Sequence, residues 1–137
     1  SKTGLRFSRI KDTVAGLPSD VLIFLDACRA GSVDLNGIVN TLTDTEVGAM
    51  VFTSSKASEK SLELPEWQNG AFTRALVEGL GGKADLMNTE EITFKSLDTF
   101  VTFRVKQLTE GKQTPDAQRK HKEDDFLIAK RLKKSAE

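Results

Sequence analysis

Two side chains able to do chemistry stand close together in the first quarter of the chain: the carboxylate of Asp26 and the thiol of Cys28, the single cysteine. A thiol attacks a carbonyl carbon only as the thiolate. It therefore needs a base to take and return its proton, and hydrogen-bond donors for the oxyanion that forms. The single histidine, His121, lies far downstream within Arg119-Lys120-His121-Lys122-Glu123, and this charged setting reads as a solvated loop. One cysteine excludes an internal disulfide. One cysteine plus one histidine cannot build a thiolate and imidazole zinc site, so no metal ligands are assigned.

The elements that must position Asp26 and Cys28 are legible around them. Val21–Asp26 is a short apolar run, rich in β-branched and large residues, as expected of a strand buried on both faces in a parallel sheet covered by helices. Cys28 and the small residues Ala30, Gly31 and Ser32 follow it. Open α/β sheets place their sites just past the carboxyl ends of such strands. Upstream, Phe7, Ile10, Val14 and Leu17 recur at helical spacing, and Gly16 and Pro18 end that helix. Helix then strand is half of a βαβ unit, so a preceding strand is expected outside these residues.

The segment Asp26-Ala27-Cys28-Arg29-Ala30-Gly31 resembles the nucleophile segment of the caspase-like cysteine peptidases, and most closely that of metacaspases and their bacterial relatives. True caspases carry Gln where this chain has Asp26. The likeness continues in order through Val51-Phe52-Thr53-Ser54-Ser55, Asn69-Gly70-Ala71-Phe72-Thr73, Gln113-Thr114-Pro115 and the apolar run Asp125–Ala129. The resemblance implies a three-layer α/β sandwich with a mostly parallel central sheet, of which this chain supplies the later strands. It also implies a cysteine endopeptidase cleaving after Arg or Lys, with Cys28 as nucleophile and the Cys28 N–H as one oxyanion donor.

By the same likeness Asp26 lines the pocket for the basic residue before the scissile bond, and Ser54 and Ser55 are neighbours of the substrate groove. A buried carboxylate is costly unless paired, and a cationic substrate side chain would supply the partner. The place of the family's second pocket acid holds Ala57 or Ser58, with Glu59 nearby as the candidate. The family's histidine stands roughly 50 residues before the cysteine, which falls ahead of Ser1. Residues 1–137 are thus expected to be the C-terminal part of one caspase-like domain, inactive alone and partnered by its histidine-bearing N-terminal part. The alternative is a pseudopeptidase that kept the cysteine and serves as an interaction or scaffold domain. The resemblance leaves calcium dependence open without identifying a site, and no other cofactor is expected.

The remaining sequence bounds these readings. At 137 residues the chain holds one domain at most. Its 20 basic and 20 acidic residues balance, so no overall field attracts nucleic acid or an anionic membrane. No apolar run approaches a membrane span, and the composition fits a soluble, cytoplasmic protein. Val33–Thr45 reads as a connector with a short helix near Gly37–Leu42, and Val47–Thr53 as a second buried strand. Lys56–Gln68 is a long charged loop of the kind that binds or is cut. Asn69 is placed to cap a helix from Gly70 to Leu80 with Phe72, Ala75, Leu76 and Leu80 inward, ended by Gly81-Gly82. Asp85–Glu91 is acidic but lacks the spaced ligands and central glycine of a calcium loop. Thr93 is expected to cap a helix carrying Leu97, Phe100, Val101, Val105 and Leu108, with Gly111 after it, and Phe126–Ala129 to form a last strand beside the second one.

Overall fold

The structure, a computed structural model, describes residues 6–26, 34–56, 70–119 and 125–131. Strand β1 (Leu22–Leu25) and strand β2 (Met50–Thr53) run parallel, with Leu22 opposite Met50 and Leu25 opposite Thr53. Strand β4 (Asp116–Gln118) lies antiparallel on the other side of β2, giving the order β1-β2-β4. Strands β3 (Glu91–Thr93) and β5 (Leu127–Lys130) form a separate antiparallel pair. The expected last strand is therefore shifted by one residue and pairs with β3. The place beside β2 is taken by the polar segment Asp-Ala-Gln of β4, too short to show a period.

Alternation along the strands divides the apolar residues into two layers, since successive side chains leave a strand on opposite faces. Val51, Ile23 and Leu25 pack with helix α1 (Phe7–Ala15) and helix α2 (Leu35–Thr43), through Val14, Leu35, Val39 and Leu42. Met50, Phe52 and Leu22 pack on the other side with helix α3 (Ala71–Glu78) and helix α4 (Phe94–Leu108), through Phe72, Ala75, Leu76, Leu97, Val101 and Val105. The result is a three-layer α/β arrangement, helices on either face of the sheet.

Phe52 is the centre of the second layer. It is 1 % exposed, and its ring lies 5.4 Å from that of Phe24 and 4.9 Å from that of Phe94. Burial of one such side chain contributes about 1.5–3 kcal/mol. All four residues of β2 are buried, so it meets the expectation of two-sided burial. For β1 that expectation is corrected: Phe24 is 37 % exposed and the other three residues are half-buried. The reason is position. Among the described residues β1 pairs with β2 alone, whereas β2 has a neighbour on each side.

Local signals set most helix boundaries. Thr93 caps α4: its Oγ1 accepts from the Ser96 N–H at 3.2 Å, while the Thr93 N–H donates to Ser96 Oγ at 2.9 Å. Loss of such a cap costs about 0.5–2 kcal/mol. Gly16 closes α1, so Leu17 falls past its end and is exposed rather than on its stripe. Helix α3 runs into a π-helical turn, Gly79–Lys83, which leaves Leu80 exposed instead of inward. Gly79 is a packing requirement, because a Cβ there would meet Leu97 and Phe100 of α4 at 3.0 Å. In the acidic loop beyond, the Asp85 carboxylate accepts from the N–H groups of Thr89 and Glu90, each at 2.9 Å. Shielding from water pushes the Asp85 carboxyl up, but these donors and Arg131 outweigh it and hold it below its ordinary range. The carboxylate thus closes the turn.

Candidate active site at the carboxyl edge of the sheet

The parallel pairing of β1 and β2 continues one residue past both strands. The Ser54 N–H donates to the Leu25 carbonyl at 3.0 Å, which brings Ser54 beside Asp26 at the carboxyl edge. In a parallel sheet this edge is where side chains from successive strands converge on one ligand. The neighbourhood follows directly from the register, with Leu25 opposite Thr53.

Asp26 is exposed at this edge, which corrects the expectation of a buried carboxylate. It is one residue beyond a strand whose outer side has no described neighbour, so water reaches it. Its Oδ2 accepts from Thr73 Oγ1 of α3 at 3.3 Å, a long contact that links the carboxylate to the helix. Helix α3 begins beside the edge and presents Thr73 from its first turn, so one helix packs the core through Phe72 and reaches the edge through the next residue. Asp26 has a further interaction beyond the Thr73 contact.

Ser54 is 1 % exposed and Ser55 half-buried. The turn they form is held by Thr53 and Gln113. Thr53 Oγ1 donates to the Ser55 carbonyl at 3.0 Å and, more weakly, to the Asp116 carbonyl of β4 at 3.4 Å. Gln113 Nε2 donates to the Ser54 carbonyl at 2.6 Å. Gln113 is in turn fixed by its N–H, which donates to Thr109 Oγ1 at 3.2 Å, and Thr109 Oγ1 donates to the Val105 carbonyl at 2.7 Å. The serine turn is thereby tied to the end of α4. Close by, burial chiefly pushes the Asp98 carboxyl on α4 up, and the charge of Asp116 adds to this.

Among the sequence-derived candidates, Asp26, Ser54 and Ser55 are thus brought to one edge. Cys28, Glu59 and His121 lie outside the described residues, as do the loop around Glu59 and the expected cap Asn69. No pattern in the sequence assigns a role to Thr73, Thr109 or Gln113. Thr73 and Gln113 do sit in the stretches that carry the resemblance, Asn69–Thr73 and Gln113–Pro115, and that is the signal that marks them. Thr109 carries no signal of its own. Among the described residues no group of three or more His, Cys, Asp or Glu side chains is arranged to hold a metal ion. No described helix is long and apolar enough to cross a membrane.

A family model for the caspase domain matches residues 2–127. Neither the curated proteins nor the solved structures include a match.

Proposed function

The chain belongs to the caspase domain family, and from that premise we propose that it is the nucleophile-bearing part of a cysteine endopeptidase that cleaves after Arg or Lys. The observation that supports this reading is the meeting of Asp26 and the Ser54–Ser55 turn at the carboxyl edge of the parallel pair β1/β2, immediately before Cys28 in the chain. Asp26 supplies the negative charge for a cationic substrate side chain, and Thr73 keeps its carboxylate turned along α3. An accessible carboxylate suits a guanidinium partner, which pairs with it through charge-assisted hydrogen bonds.

The chemistry assigned to the chain is acyl transfer. The Cys28 thiolate adds to the carbonyl carbon of the basic residue, and the oxyanion takes the Cys28 N–H as one donor. Collapse breaks the carbon–nitrogen bond, and the leaving amine carries off the proton that the thiol gave to the base. Water then adds to the thioester, releasing the acid and regenerating the thiol. The base is a histidine from the sequence upstream of Ser1, in the N-terminal part of the same domain.

The test is hydrolysis of matched fluorogenic peptides with Arg, Lys, Gln or Asp before the scissile bond. The enzyme is the full-length protein from which these residues come, alongside its Cys28→Ala variant and the isolated 137-residue chain. Turnover of the Arg and Lys peptides by the full-length protein, abolished by Cys28→Ala and missing from the isolated chain, is expected. No turnover by the full-length protein, or turnover that survives Cys28→Ala, overturns the proposal.

A further inference from the structure

Gln113 makes a buried bond that ties two distant parts of the chain together. It is 7 % exposed, and its Nε2 donates to the Ser54 carbonyl at 2.6 Å, joining positions 59 apart in the chain. Its Oε1 is buried and, among the described residues, accepts from nothing. A neutral hydrogen bond contributes only about 0.5–1.5 kcal/mol to stability. What it does supply is direction. Its backbone N–H is fixed on Thr109 Oγ1, Thr109 is fully buried, and that hydroxyl is bonded to the Val105 carbonyl of α4. The donor that reaches Ser54 is therefore tied to the end of α4, the longest helix among the described residues, which is itself anchored through Leu97, Val101 and Val105.

The acceptor is just as informative. The Ser54 carbonyl belongs to the peptide unit that leads into Ser55, at the point where β2 leaves the sheet beside Asp26. Thr53 Oγ1 holds the next carbonyl, that of Ser55. Successive carbonyls of the turn are thus held by Gln113 and Thr53, so the peptide planes facing the edge have little freedom to rotate.

We infer that Gln113 is a positioning residue: its amide sets the orientation of the Ser54–Ser55 backbone, and through it the wall of the substrate groove beside Asp26. The inference rests on the proposed peptidase reading for its functional consequence, though not for its structural one. In this role Gln113 is not a catalytic residue. It acts through the Ser54 carbonyl.

Gln113→Glu is the informative variant, because it keeps the shape and makes the bond depend on protonation. A neutral carboxyl can donate to the Ser54 carbonyl, whereas a carboxylate repels it, and burial raises the pKa of the introduced acid. In the full-length protein, KM of Gln113→Glu for an Arg peptide, divided by the wild-type KM at the same pH, should be near one in acid. It should rise about tenfold as the carboxyl ionises, with kcat and the rate of Cys28 alkylation by a small reagent changing far less. Gln113→Met should show the raised KM at every pH. A KM ratio independent of pH in Gln113→Glu, or kcat and alkylation falling in step with KM, overturns the inference.

A second measurement stands apart from activity. In the full-length protein, Gln113→Met should speed amide exchange at Ser54, whose N–H donates to the Leu25 carbonyl, while Val51 and Phe52 stay protected. Unchanged exchange at Ser54 overturns the inference whatever the kinetics show. Accelerated exchange there, in a protein whose full-length form hydrolyses nothing, supports the role of Gln113 and removes the peptidase reading.

Discussion

Asp26→Asn in the full-length protein separates charge from shape at the candidate pocket. The amide oxygen of Asn can still accept from Thr73 Oγ1, so the 3.3 Å contact to α3 survives and only the negative charge is lost. The size of the loss follows from the exposure of Asp26. Removing one partner of a fully buried ion pair costs about 3–5 kcal/mol, and an exposed pair is worth about 0–1 kcal/mol. Asp26 is exposed in the described residues, and on the proposed reading a bound basic side chain covers it, so neither limit applies. The suitable figure is that of a charge-assisted hydrogen bond, about 1.5–3 kcal/mol. That corresponds to a roughly 10- to 150-fold fall in preference for arginine. The assay is the ratio of kcat/KM for two peptides identical except for Arg or Gln before the scissile bond, measured for wild type and variant, with thermal midpoints to check the fold. A fall confined to the Arg peptide is expected, with the Gln peptide within error of wild type. An unchanged ratio, or an equal fall on both peptides, would refute the assignment of Asp26 and move attention to Glu59.

Two further outcomes concern the scaffold. The Ser54 N–H and the Met50 N–H donate to the carbonyls of Leu25 and Val21, so the N–H groups of Ile23 and Leu25 face β2 while those of Leu22 and Phe24 face the outer side. In a dilute, monomeric sample of the 137-residue chain, Leu22 and Phe24 amides should exchange much faster than those of Ile23 and Leu25. Equal protection of all four would show that β1 has a second neighbour within these residues, and that the expected N-terminal partner is not needed to complete the sheet. The other outcome is a pH dependence at Glu78, whose carboxyl is lowered from 4.5 to about 2, chiefly by its hydrogen bond from Arg104, with Arg74 adding to it. A depressed folded-state pKa contributes stability that is present above 4.5 and lost as pH falls towards 2. Urea melts should find wild type more stable than Glu78→Gln near neutral pH, with the gap closing across that window; a gap independent of pH refutes the linkage.

The sequence by itself determined the elements whose signals are local. The apolar runs at Val21–Asp26 and Val47–Thr53 contain β1 and β2, Gly16 ends α1, and Thr93 opens α4, because strand formation, capping and helix termination are decided among near neighbours. The order of motifs around Asp26 and Cys28 also carried the family, since each motif is a short stretch read in place. Tertiary structure alone decided which strand is buried on both faces, because this depends on a strand's neighbours and not on its own apolar run. It decided that the polar segment Asp116–Gln118 flanks β2 while Leu127–Lys130 pairs with Glu91–Thr93; segments of three and four residues carry too little pattern to choose a partner. It also decided the surroundings of the candidate site. Thr73 meets Asp26 across 47 positions and Gln113 meets Ser54 across 59, and both contacts exist only because α3 and α4 pack together on one face of the sheet. A hydrogen bond between residues so far apart leaves no trace in the spacing of either, since the chain is brought together there by the core and not by the bond.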